Sequence, residues 1–272
     1  MLTNPKNLIH QARDAGVAIP AFNIDSLEMA MGVISAAETK KVNILLQITV
    51  ETLNIWGWDV FSDALLFILR QSDVNTGLIL DHAKNVDDIK KAIDLGFSGV
   101  MFDGSALPLP ENIALSLEAV SYAKTKNCYV EGEIGHVARD GEPPAWEHLT
   151  TVEEAWDYLS ATRVDALAVA IGSKHGHYRN VSDIRMDRVQ DIFATLGAPL
   201  VLHGGSGMPQ KLFPILCSHG IAKVNIGTEL RRVWWQAIEN NRDRKPREAL
   251  QAARIAVQAT VEHLITVIAM ER

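Results

Sequence analysis

Three histidines, His82, His175 and His203, each stand within a few residues of the end of a short apolar run. The runs read LILDH, DALAVAIGSKHG and PLVLHGGSG, and they are far apart in the chain. Neutral imidazoles gathered from the same ends of several parallel strands make a catalytic metal site, because they converge on one ion and leave a further position for water or substrate. Three uncharged ligands keep the double charge of zinc, which then polarises a carbonyl or hydroxyl oxygen. His10, His148, His219 and His263 read as surface or packing residues, while His136 and His177 lie close enough to the proposed site to stay undecided.

The elements that must position these residues follow from hydrophobic periodicity. Strand-like runs fall at 18–24, 42–49, 77–82, 99–105, 128–135, 165–172, 199–204 and 222–227. Between them lie SLEMAMGVISAAETKK, VDDIKKAIDLG, PENIALSLEAVSYAKT and VEEAWDYLSATR, with apolar residues three and four apart. Start signals stand at Asp25 or Ser26, at Asn85, and at Thr150 or Thr151. Such units, with largely apolar strands and no Gly-x-Gly-x-x-Gly turn after the first, predict a (β/α)8 TIM barrel over residues 1–272 as a single domain. C-terminal helices from about 229 to 272 form an extension that packs outside the barrel or against a second subunit.

A barrel does its chemistry at the C-terminal ends of its strands, and polar residues collect there. They are Asn23, Gln47 and Thr49, Asp81 and His82, Asp103 and Ser105, Glu131 and Glu133, His175, His203, and Asn225 with Thr228 beyond it. Any one of them alone reads as a buried polar group bonded to a neighbouring backbone; convergence on one mouth argues for a site. HGGSG at 203–207 and NIGTE at 225–229 follow the seventh and eighth strands, the usual phosphate position of this architecture. Glycines there admit close backbone approach, successive N–H groups cradle an anion, and Ser206 and Thr228 add hydroxyls.

Composition bounds the partners. The chain has 272 residues, 47% of them apolar, and a formal charge of −7 with no basic cluster, which argues against nucleic acid or an anionic membrane surface. Cys128 and Cys217 are isolated and read as buried thiols. The N-terminus lacks the apolar core of a signal peptide, and no stretch approaches 18 apolar residues, so a cytoplasmic protein is expected.

Taken together, LDH at 80–82, VMFDGSALPLPENI at 100–113, VEGEIG at 130–135, DALAVAIGSKHGHY at 165–178, LVLHGGSGMP at 200–209 and KVNIGTEL at 223–230 resemble the class II, metal-dependent ketose-bisphosphate aldolases of the fructose- or tagatose-1,6-bisphosphate type. The resemblance covers nearly the whole chain. It implies Zn2+ held by His82, His175 and His203, Asp81 as catalytic acid/base, and Glu133 as a metal ligand at an alternate site with Asp103 a second acidic residue beside it. It further implies that Gly176, Gly204, Ser206, Gly227 and Thr228 bind the phosphate of dihydroxyacetone phosphate, that Asn225 contacts its reacting part, and that Asn23 and Thr49 line the substrate site. Na+ or K+ often sits beside that phosphate in the family. Arg247, in Pro246-Arg247, resembles an arginine offered by a neighbouring subunit of a homodimer or homotetramer to the far phosphate of a phosphosugar.

The chain also departs from the family. After the fifth strand it reads HVARDGEPPAWEHL, where Asp140 or Glu142 would have to stand in for the usual acidic residues; Thr49 replaces a common serine and Gly227 a common alanine or aspartate. These positions choose the aldehyde, so a modified sugar-phosphate fragment is as compatible as a standard one. Two other readings are a phosphosugar isomerase or epimerase, which would need no histidine set, and a non-catalytic sugar-phosphate-binding relative, which would be expected to lose Asp81 or a histidine.

Overall fold

The computed structural model describes residues 1–135, 137, 149–174 and 184–269. Among these, strands β1 (Ile19–Asn23), β2 (Ile44–Thr49), β3 (Thr76–Ala83), β4 (Gly99–Phe102), β5 (Tyr129–Ile134), β6 (Ala166–Val169), β7 (Leu200–Leu202) and β8 (Ile221–Ile226) run parallel and close into a barrel in sequence order, β8 pairing back onto β1. Each falls within or beside a run expected from the sequence. The helices are α1 (Pro5–Ala15), α2 (Leu27–Lys40), α3 (Val50–Trp56), α4 (Trp58–Gln71), α5 (Val86–Asp94), α6 (Leu109–Thr125), α7 (Val152–Thr162), α8 (Met186–Leu196), α9 (Phe213–Ser218), α10 (Thr228–Asn240) and α11 (Pro246–Ile268). This is a (β/α)8 barrel with a C-terminal helical extension. No single helix among the described residues is long and apolar enough to cross a membrane.

Side-chain caps fix where the helices start. Ser26 accepts from the Met29 N–H and Asn85 from the Asp88 N–H, each satisfying a donor that has no partner within its helix. Thr151 and Glu154 form a reciprocal capping box at α7. Ser26 and Thr151 are therefore the caps, and Thr150 does something else: it is fully buried, donates to the Ile134 carbonyl and accepts from the Ala170 N–H, tying β5 to β6.

Two apolar layers result from strand alternation. Outward-facing strand residues such as Phe22, Leu46, Leu80 and Leu202 pack under the helices. Ala21, Leu45, Ile79, Tyr129, Ala166, Ala168, Val201 and Ala222 form a separate cluster with Leu8 and Ile9, so α1 closes the N-terminal end of the barrel. Residues two positions further along the same strands share that inward face, and there the chain switches from apolar to polar: Asn23, Gln47, Asp81 and Glu131. Both cysteines are buried, and burial pushes each thiol up to about 12.

The extension packs outside the barrel: α11 lies against α2 and α10. Gly32 permits that approach, since a Cβ there would stand 2.7 Å from the Arg254 carbonyl oxygen and 3.2 Å from Val257. A Gly32→Leu substitution is expected to push α11 off α2 and destabilise the fold by about 1–3 kcal/mol, measured by denaturant unfolding.

Candidate active site

The site begins with an irregularity in β3. Leu80 pairs with Val100, but the next pair is Ala83 with Phe102, so Asp81 and His82 fall in a register shift. His82 takes φ +51°, a left-handed conformation costing a residue with a Cβ roughly 1–2 kcal/mol. In a regular strand consecutive side chains point to opposite faces; here both line one cavity. Strand alternation alone would send Asp81 and His82 to opposite faces, and the bulge is what brings them together.

Asp81 is 2% exposed. One carboxylate oxygen accepts from Asn23 Nδ2 and the other from Gln47 Nε2, both at 2.6 Å. Burial works against its charge, but positive charge at His82, Lys223 and His203 and the Asn23 hydrogen bond outweigh it and hold the carboxyl below its ordinary value. Asp81 is thus a fixed, ionised acceptor, ready to take a proton.

His82, Glu133 and His203 come together beside it, with one candidate ligand atom from each lying within 4.8 Å of the others. The two imidazole centroids are 4.8 Å apart. Glu133 Oε2 lies 3.6 Å from His82 Nδ1 and 3.4 Å from His203 Nδ1, is buried, and makes no hydrogen bond among the described residues. Asp103 Oδ2 lies 3.0 Å from His82 Nδ1, while its other oxygen accepts from the Ser105 N–H and hydroxyl. The structure therefore places Asp103 against His82, where it orients the ring. His203 has no exposed surface, and its Nε2 is 3.1 Å from Glu131 Oε1.

This cluster is short of positive charge. Burial pushes the Glu133 carboxyl up to about 7, despite the two histidines. Burial disfavours charge on His82 as well, yet Asp81, Asp103 and Glu133 push its ring up to about 10. Both shifts run toward the protonated form. Two imidazoles and an orphaned buried carboxylate are a donor set that a divalent cation fits, and His82, Glu133 and His203 could hold one. His175 and Gly176 lie outside the described residues, as do Asp140 and Glu142.

The same cavity, of about 110 Å³, is lined by Asn23, Thr49, Asp81, His82, Gly204, Ser206, Asn225, Gly227, Thr228 and Arg231. Thr49 also caps α3. Ser206 Oγ accepts from the Gly227 and Glu229 N–H groups, joining the turn after β7 to the start of α10. Gly205 lets that turn lie on β8, for a Cβ there would stand 2.6 Å from Val224 and 2.9 Å from the Asn225 carbonyl oxygen. Asn225 Oδ1 is buried and without a hydrogen bond among the described residues. Arg247, at the start of α11, is exposed and does not line this cavity.

Three residues escaped the site assignment made from the sequence. Gln47 and Glu131 were visible at strand ends but had no role there. Arg231, held by Asp25 at 2.6 Å, stands three positions after Thr228, the helical spacing that puts both on one face of α10.

A family model described as Fructose-bisphosphate aldolase class-II matches residues 3–271. The chain is 36% identical over 268 residues to the 6-phospho-5-dehydro-2-deoxy-D-gluconate aldolase of Shouchella clausii (strain KSM-K16), covering 95% of this chain and 91% of the relative. It is 33% identical over 291 residues to the fructose-bisphosphate aldolase of Streptococcus pneumoniae serotype 4, covering 99% and 98%. Among solved structures, the YdjI aldolase of Escherichia coli K12 superposes with a TM-score of 0.91 at 30% identity, over 99% of this chain and 98% of that one. Barrel, site and sequence together define an aldolase, a carbon–carbon lyase. The chain belongs to the class II fructose-bisphosphate aldolase family, whose members are generally zinc-dependent.

The metal-free protein is expected to lose stability as pH rises from about 4.5 through about 7, since the folded state holds a proton on Glu133 that the unfolded chain releases earlier. Glu133→Gln should remove that part of the decline; unfolding free energies of both proteins across this pH range check it.

Proposed function

We propose that this aldolase reversibly cleaves a ketose 1-phosphate or 1,6-bisphosphate into dihydroxyacetone phosphate and an aldehyde. The observation that carries the reading is one cavity lined both by Asp81 and His82 and by the turns after β7 and β8. His82, His203 and His175 are the proposed ligands of zinc, with Glu133 an alternate ligand and Asp103 the group that orients His82. Zinc bound there would supply Lewis acidity, stabilising negative charge as the carbon–carbon bond breaks.

The remaining steps belong to the protein's own side chains. Asp81 removes the C4 hydroxyl proton, and the C3–C4 bond breaks to release the aldehyde and leave its electron pair on the dihydroxyacetone phosphate half, which takes up a proton at C3; in condensation C3 gives up that proton and Asp81 returns its own to the new C4 oxygen. Asn23 and Gln47 hold Asp81 in place for that transfer, and their amide donors favour its charged form. Gly204, Gly227, Ser206 and Thr228, with Gly176, cradle the phosphate through N–H and hydroxyl donors, where Na+ or K+ would balance further charge. Arg231 adds a guanidinium to the same cavity. Asn225, whose buried Oδ1 lacks a hydrogen bond among the described residues, contacts the reacting part of the ketose. Thr49 lines the substrate side. Arg247 would meet a distal phosphate across a homodimer or homotetramer interface.

The relatives' names support the ketose half. Fructose bisphosphate and 6-phospho-5-dehydro-2-deoxy-D-gluconate each carry a ketone next to a phosphorylated terminal carbon, and they differ at the other end. The shared half of the substrate fits the glycine-turn side of the cavity, and the aldehyde is chosen at residues including Thr49 and the segment after β5.

A coupled assay for dihydroxyacetone phosphate across fructose and tagatose bisphosphates, ketose 1-phosphates and 6-phospho-5-dehydro-2-deoxy-D-gluconate tests the reading. Release from at least one compound, abolished by chelator and restored by zinc, is expected. Asp81→Ala should lower kcat/KM on that compound by ~10²–10⁴-fold. An Asp81→Ala enzyme as active as the wild type would remove Asp81 from the reaction.

A further inference from the structure

Lys223 lies on β8 with no exposed surface, and its Nζ is 2.8 and 3.2 Å from the two oxygens of Glu131. The proposed reaction gives it no task. Burying both members of an ion pair is a weak source of stability, because desolvation offsets their attraction. What the pair holds explains it better. Glu131 Oε2 also accepts from the Tyr129 hydroxyl at 2.8 Å, and Glu131 Oε1 faces His203 Nε2 at 3.1 Å. A carboxylate can only accept, so Nε2 carries the ring hydrogen in this contact. Nδ1 is then the ligand nitrogen, and it stands on the Glu133 side, 3.4 Å from Oε2.

We infer that Lys223, with Tyr129, is a positioning residue for the metal site: it clamps Glu131, and Glu131 fixes the His203 ring so that Nδ1 is offered to a divalent cation. The inference rests on the reading of His203 as a metal ligand. Two donors on Glu131, from different strands, prevent it from turning away from His203, so the ring keeps both its tautomer and its tilt. Carboxylates bonded to ligand histidines typically change metal affinity by about 10–100-fold. Lys223 acts on that same interaction from one residue further out.

The test compares zinc affinity, by competition with a chromogenic chelator, and the visible spectrum of cobalt-substituted protein. Lys223→Met is expected to weaken zinc binding by roughly tenfold or more and to alter the cobalt bands, with the circular dichroism of the folded protein unchanged. Because removing a buried lysine can block folding, Tyr129→Phe is measured beside it; it keeps both charges and should shift affinity and spectrum in the same direction by a smaller factor. Wild-type zinc affinity and cobalt bands in the folded variants would overturn the inference. His203→Ala separates the two readings. Undiminished zinc binding in that variant removes His203 from the metal site altogether, whereas loss there beside normal binding in Lys223→Met and Tyr129→Phe defeats the positioning role alone.

Discussion

More carboxylate is gathered at the mouth of this barrel than the nearby cations balance, and the rest of the site depends on that imbalance. Asp81, Glu131 and Glu133 are buried within the upper barrel and Asp103 borders them. Lys223 answers Glu131; Asp81 is stabilised by amide donors and by positive charge around it; Glu133 is left with a bare oxygen between two imidazoles. A buried charge without a partner is expensive, so the group either takes up a proton or acquires a cation. The shifts at Glu133 and His82 express the first solution, and a divalent metal is the second.

The fold exists to hold that arrangement. Helix α1 plugs the lower barrel and an apolar layer fills it, so the polar residues two positions up each strand are set on a rigid floor. The β3 bulge then breaks strand alternation once, turning Asp81 and His82, the proposed base and a proposed metal ligand, toward the same cavity. Beyond them the two glycine turns meet through Ser206, which holds the proposed phosphate end in a fixed relation to the proposed reacting end. In the proposed reaction, separating these functions by strand would let one half of a substrate be gripped while the other is chosen by loops.

Much of this was legible in the sequence because period-two strands and period-3.6 helices leave an apolar trace. The strands fell where LILDH, PLVLHG and KVNIG predicted them, and nearly every residue lining the small cavity stood at a strand end. Three-dimensional choices were less legible. Asp25 and Ser26 are equally good caps by type, and only backbone geometry chose Ser26. Two adjacent residues, Asp81 and His82, share a face because of a bulge that no composition rule announces. Lys223 carried no clear signal, since its partner Glu131 comes from a strand 92 residues away. Arg231 could have been found from its spacing to Thr228, had the helix that starts there been followed one turn further.

The central claim is that a divalent cation replaces protons at His82 and Glu133. Calorimetric titration of metal-free protein with zinc near pH 7, repeated in buffers of different ionisation enthalpy, measures both the stoichiometry and the protons released. The account predicts one tight zinc per chain with net release of protons. Tight binding without proton release, or no stoichiometric binding, would contradict it.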